Sequence, residues 1–211
     1  MSYSQHGKHY LSTLQGMLSD THMLSTTYNK GTDILDNYNW RTIAAAYVVE
    51  QRLQGLSVSK SRHGVDATVK GRGIDIEFKT NKQGIGKKLT LKGISAEFDK
   101  QERTDMQEKV ASIDHLIMAS FCEGIAIPIV TLYLPPSAMV DVQVLIREKQ
   151  AAFLAKWTGN GRDSIHLNAD EITDYVCDTS TIHAYIKGDA IPFDDLALRI
   201  LEGNIKCDGK V

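Results

Sequence analysis

Two apolar runs, His115–Phe121 and Ile125–Leu134, most constrain what this chain can fold into. Only Cys122-Glu123-Gly124 separates them, and Pro135-Pro136 stops the second. Neither alternates apolar with polar residues, as a strand with one wet face would. Continuous hydrophobicity of this length marks central strands covered on both faces. The stretch just before them, 95–112, is highly charged and reads as a helix with Phe98, Met106 and Val110 as its buried positions. A strand, that helix and then another buried strand suggest a right-handed crossover.

The strand that would enter this crossover belongs to Gly64–Thr80. Residues 65–70 and 73–80 read as two short strands joined by a tight turn at Gly71-Arg72. A two-residue loop pairs Lys70 with Gly73, and counting back from there sets Asp66 opposite Glu77. Side chains on a strand repeat every two residues, so Asp75, Glu77 and Lys79 share one face. A directly opposed pair shares a face too, with Cβ atoms roughly 5 Å apart. Asp66, Glu77 and Lys79 should therefore converge, with Asp75 further out beside the turn. Two carboxylates that close repel, and an adjacent divalent cation would remove the conflict; hard oxygen ligands of this sort suit Mg²⁺. A lysine two residues past the second carboxylate could position or deprotonate a water beside that metal. Such a constellation suits phosphodiester hydrolysis.

Asp66, ten intervening residues and Glu77-Phe78-Lys79 resemble the PD-(D/E)XK nuclease superfamily, whose members include many type II restriction endonucleases. The resemblance covers the acid, the E-x-K and the hairpin bearing them; Val65 stands where a proline often precedes the first acid. It implies an α/β fold, a mixed central β-sheet flanked by helices (a restriction-endonuclease-like core), here with a C-terminal α+β extension. It also implies Mg²⁺-dependent cleavage of double-stranded DNA. In that mechanism Asp66, Glu77 and the Phe78 carbonyl hold Mg²⁺, and Lys79 orients or activates the attacking water. One site per chain implies a homodimer for cutting both strands, with a palindromic target following from its two-fold symmetry. A type II enzyme is the expectation. A structure-selective nuclease (Holliday-junction resolvase or repair enzyme) and a non-catalytic DNA-binding module are the alternatives.

The surrounding residues bear on the same reading. Residues 40–54 are expected to form a helix closed by Gly55, with Asn39 or Asp36 as cap. Glu50 lies seven residues after Ile43, about 20° from it around the axis, so it belongs to the inward stripe. It is the candidate for reaching the metal or the water from that helix. From Lys60 to Lys92 nine Lys or Arg face three acids, a local excess of six positive charges in a chain of net charge −2. All three acids are in the hairpin, so positive charge surrounds the proposed metal site, as a phosphate-binding surface requires. Lys60, Arg62 and His63 precede the hairpin. Asn81, Lys82, Gln83, Lys87 and Lys88 follow it in a basic, Gly-punctuated stretch that reads as a DNA-contacting loop. Leu56–Ser59 is expected to begin the sheet and Leu89–Lys92 to add a strand.

No apolar run approaches the roughly 20 residues a membrane span needs, and the N-terminus has no apolar signal core. A cytoplasmic protein is expected. The three cysteines, Cys122, Cys177 and Cys207, are an odd number without metal-ligand spacing, which suggests free thiols in a reducing compartment. The histidines make no zinc pattern, and no P-loop, G-x-S-x-G or dinucleotide fingerprint is present. Residues 1–37 are expected to form an arm or dimer contact, 38–136 the nuclease core and 137–211 an extension of the same domain. In that extension, 137–157 is a long helix with Val140, Val144, Leu145, Ala152, Phe153 and Trp157 as its apolar positions. Strands at 163–167 and 181–186 and helices at 169–176 and 193–201 follow.

Overall fold

A computed structural model of the chain describes residues 56–58, 66–69, 74–99, 101–123, 128–159, 164–187 and 189–208. The arm at 1–37, the helix at 40–54 with Glu50, the Gly71-Arg72 turn, and Lys60, Arg62 and His63 lie outside the described residues.

β1 (Leu56–Val58), β2 (Ala67–Val69) and β3 (Ile74–Gln83) form an antiparallel meander. Thr68 stands opposite Asp75 and Ala67 opposite Ile76, so one step further sets Asp66 against Glu77. The register is the one a two-residue turn imposes. β5 (His115–Cys122) runs parallel to β3, from Ile76 beside His115 to Gln83 beside Cys122. β6 (Val130–Leu134) returns antiparallel to β5. Every residue of β5 and β6 is buried, which is why both read as unbroken apolar runs. β8 (His183–Ile186) and β9 (Asp189–Pro192) complete the sheet. Among the described residues its order is β1-β2-β3-β5-β6-β8-β9. The fold is mixed α/β, and β8 and β9, C-terminal to Pro136, belong to the same sheet as the hairpin.

The parallel β3–β5 pair requires a crossover, and its contents differ from the expected single helix. Ser95–Phe98 is a strand, β4, paired with β7 (Ile165–Asn168) in a two-stranded ribbon. Ile94, Ala96 and Phe98 are buried and Glu97 is exposed. That period of two belongs to a strand, and a partner about 70 residues away in sequence makes it one. α1 (Thr104–Ala111) is correspondingly short. Leu89–Lys92 is not a strand either. Thr90 accepts the Gly93 N–H at 3.0 Å and caps a 3₁₀ turn at Leu91–Gly93.

α2 (Pro136–Lys156) starts with proline inside its first turn, where the missing N–H costs nothing. It buries Ala138, Met139, Val142, Leu145 and Ile146 at helical spacing. Val140 and Val144 fall outside that stripe and are 66% and 44% exposed. Gln150, buried on α2, donates to Gln101 Oε1 at 2.9 Å, and Gln143 donates to the Ile113 carbonyl at 2.8 Å. These bonds hold both ends of the α1 segment to α2. α3 (Ala169–Tyr175) carries a capping box in which Glu171 returns to the Asn168 N–H at 2.9 Å. α4 (Phe193–Leu201) packs through Phe193, Leu196 and Ile200. Among the described residues no helix is long and apolar enough to cross a membrane.

The cysteine expectation is corrected. Cys122 at the end of β5 and Cys207 near the C-terminus form a disulfide, with Cα atoms 5.3 Å apart; Cys177 is free and exposed. Two thiols separated by 85 residues carry no spacing signature, and only the fold reveals that they meet.

Candidate functional site

Alternation along β3 sorts its side chains. Ile76 and Phe78, both fully buried, anchor one face of the sheet, while Glu77, Lys79, Asn81 and Gln83 project to the other. That second face carries β4 and α1, and there the polar residues of β3 find their partners.

Asp66, just ahead of β2, reaches across to β3. Its Oδ2 accepts the Phe78 N–H at 2.8 Å. Glu77 is 7% exposed. A carboxylate so withdrawn from water needs compensating charge, and both its oxygens are matched. Lys79 Nζ donates to Oε1 at 2.7 Å, and Lys109 Nζ from α1 lies 3.3 Å from Oε2. The Lys79 ammonium also lies over the Phe98 ring, 5.0 Å from its centroid, so β4 positions it from behind. The hairpin thus brings Asp66, Glu77, Phe78 and Lys79 into one small region.

The remaining candidates separate. Asp75 is exposed near the start of β3; its N–H donates to Asp114 Oδ2 at 3.0 Å, and it lines a cavity of about 30 Å³ with Glu77, Lys109 and Ser112. Asn81 and Gln83 do not sit in a loop, because β3 continues through Gln83. Both donate through their amides to the Gly93 carbonyl, and Asn81 Oδ1 accepts from Ser120 Oγ at 2.5 Å. A Cβ at Gly93 would be tight, 3.1 Å from Thr90 Oγ1 and 3.4 Å from Gln83 Nε2. Lys82 faces the opposite way and lies 3.9 Å from Glu123. Lys87 and Lys88 are exposed in the loop beyond β3.

Lys109 is the site residue that sequence reasoning overlooked. A signal existed, because Lys109 adjoins Val110 and follows Met106 by three residues, two positions expected to face the core. A lysine at the margin of a buried stripe places its ammonium where the helix meets the sheet.

The donors that could hold a metal are Asp66, Glu77 and the Phe78 carbonyl. A strand residue's N–H and C=O leave towards the same neighbour, so this carbonyl belongs on the side of Phe78 that Asp66 already bonds. Among the described residues no three His, Cys, Asp or Glu side chains gather as a metal cage. Two carboxylates and a carbonyl, all hard oxygens, match the sparse protein coordination that Mg²⁺ accepts.

No protein-family model matches this chain, and no curated protein is significantly similar to it in sequence.

Proposed function

We propose that this protein is a Mg²⁺-dependent endonuclease of the PD-(D/E)XK type that hydrolyses phosphodiester bonds in double-stranded DNA, most like a type II restriction endonuclease. The observation that carries the reading is the hairpin register, which sets Asp66 opposite Glu77 on one face, with the Asp66 carboxylate accepting the Phe78 N–H and Lys79 donating to Glu77. A β1-β2-β3 meander followed by a crossover to a parallel β5 supports it, since a restriction-endonuclease-like core has this order. So does the local charge, which is positive around a negative centre.

On this reading Asp66, Glu77 and the Phe78 carbonyl hold Mg²⁺, which would supply charge stabilisation for the phosphate as the P–O bond breaks. Lys79 is held by Glu77 and by the Phe98 ring with its ammonium at the carboxylates, where it orients the attacking water. Lys109 compensates the second oxygen of Glu77 and fixes where that carboxylate sits. Lys82, Lys87 and Lys88 contribute to the field that draws in the phosphate backbone. Two chains related by a two-fold axis would cut both strands.

The test is digestion of mixed-sequence plasmid or phage DNA with Mg²⁺, beside EDTA and a Lys79→Ala variant. Discrete fragments are expected from the wild-type chain and none with EDTA. Lys79→Ala should lose activity by about 10²- to 10⁴-fold, the range for a removed proton-handling group. Intact DNA under all conditions would overturn the reading.

A further inference from the structure

At the end of the sheet where β3, β5 and β8 finish and β6 begins, a cleft of about 610 Å³ opens. Ile129, Ile186 and Ile205 contribute apolar surface to it. Lys187, Arg199 and Lys206 line it as well, with Asp208 as the acid among its lining residues. A fourth cation joins them. Lys88 bridges to Lys206 along the backbone, and its Nζ would lie 2.9 Å from a Cβ placed on Gly203, another lining residue. Gly203 has φ +72°, a conformation that favours glycine, and the Lys88 ammonium lies over it.

Four cations from four separate stretches of chain thus surround one concavity. Asp208, 3.5 Å from Lys187, is their one counter-charge among the lining residues. Lys187 itself sits in the short β8–β9 connection with φ +47°, in the left-handed region that non-glycine residues rarely adopt. Like charges gathered in this way set up a positive potential that favours an anion. β3 connects this end of the sheet to the candidate site. From Glu77 to Gln83 is six residues, roughly 20 Å at ~3.3 Å per residue. That matches about six steps of one DNA strand at ~3.4 Å each.

We propose that this cleft is a second contact for the phosphate backbone of duplex DNA, about half a helical turn from the candidate site, made through Lys88, Arg199 and Lys206. The choice of DNA rests on the function proposed above; the anion-binding character of the cleft does not. A small phosphorylated molecule is the competing occupant.

The experiment measures duplex affinity of the full chain in EDTA over a series of salt concentrations. It compares wild type with a Lys88→Gln/Arg199→Gln/Lys206→Gln variant and a charge-retaining Lys88→Arg/Arg199→Lys/Lys206→Arg variant, each checked by thermal melting. Each phosphate contact contributes ~0.9 to the slope of log K against log salt. The glutamine variant should therefore be shallower by about 2–3, and the charge-retaining variant should match wild type. Should the triple variant fail to fold, Arg199→Gln alone should lower the slope by about 0.9.

Equal slopes in all variants overturn the cleft contact, even if wild type cuts DNA with Mg²⁺; the proposed function then stands without it. Cleft-dependent binding with no cleavage leaves the contact standing and removes the function. A wild-type chain that binds no duplex but whose melting temperature rises with inorganic phosphate, in wild type and not in the glutamine variant, overturns the DNA contact in favour of a small phosphorylated ligand.

Discussion

Glu77 lies where water is nearly excluded, and two ammonium groups from different elements meet its two oxygens. A carboxylate can be seen in a sequence; which cations from other elements it will meet cannot. Lys79 was predictable, because two residues along a strand return to the same face. Lys109 depended on how α1 docks. His115 poses the opposite case, a titratable group whose burial outweighs the one charge near it. Its Nδ1 lies 2.7 Å from the Tyr133 hydroxyl, its ring stacks on Tyr133, and no hydrogen-bond partner meets its buried Nε2. Burial holds its pKa below the ordinary histidine value, and the nearby Asp114 offsets this only in part. The unfolded chain therefore binds a proton that the native chain resists. Stability should hold at pH values above the ordinary histidine range, near 6.5, and decline as the pH falls below it towards the depressed native value. Thermal melts at descending pH should show this decline, and His115→Phe should flatten it. An unchanged slope would exclude His115 as its source. Burial also pushes the Tyr133 hydroxyl up to about 12, so it stays protonated throughout this range.

At the scale of elements, the strongest periodicities held. The hairpin register, β5 with β6, and the extents of α2 and α4 follow from alternation, apolar run length or helical spacing in their own residues, but of the apolar positions expected on α2, Val140, Val144, Ala152 and Trp157 are exposed. The errors fell where a segment's state depends on a distant partner. Ser95–Phe98 is short and charged enough to read as part of a helix, and pairing with Ile165–Asn168 makes it β4. Asn81 and Gln83 looked like loop residues free to meet a base, yet β5 extends the pairing of β3 to its last residue and the Gly93 carbonyl takes their amides. The C-terminal segment is held in the same non-local way. Leu89 N–H donates to the Ile205 carbonyl at 3.0 Å, Cys207 N–H to that of Lys87 at 3.0 Å, and the Cys122–Cys207 disulfide closes the attachment. Removing the cross-link should cost about 2–4 kcal/mol. Cys122→Ala, Cys207→Ala and the double variant should lower the melting temperature by similar amounts, because each removes the same bond. Thiol titration of the native chain should find one reactive group, Cys177, and three after unfolding in reductant. Three without reductant would mean that the bond does not form in solution.

For the whole molecule, the decisive feature is that β3 bears the candidate site and also touches nearly everything that supports it. β2 delivers Asp66 on one side and β5 buries the strand on the other. β4 and α1 supply Phe98 and Lys109 from above. If the proposed function holds, one site per chain means that cutting both strands requires two copies. Sedimentation should then show a particle of twice the chain's mass, at least when DNA is bound; a strictly monomeric complex that still makes double-strand breaks would contradict the two-fold arrangement. The chain alone determined the hairpin, its register, the acid–lysine alternation and the buried strands, since each is a local consequence of the period of two or of continuous hydrophobicity. Tertiary structure alone decided that Lys109 faces Glu77, that Cys122 meets Cys207, that Asn81 and Gln83 turn to Gly93, and that four cations surround one cleft. Those outcomes join residues far apart in sequence. The contacts that create them exist only once the sheet has assembled, and no local period encodes them.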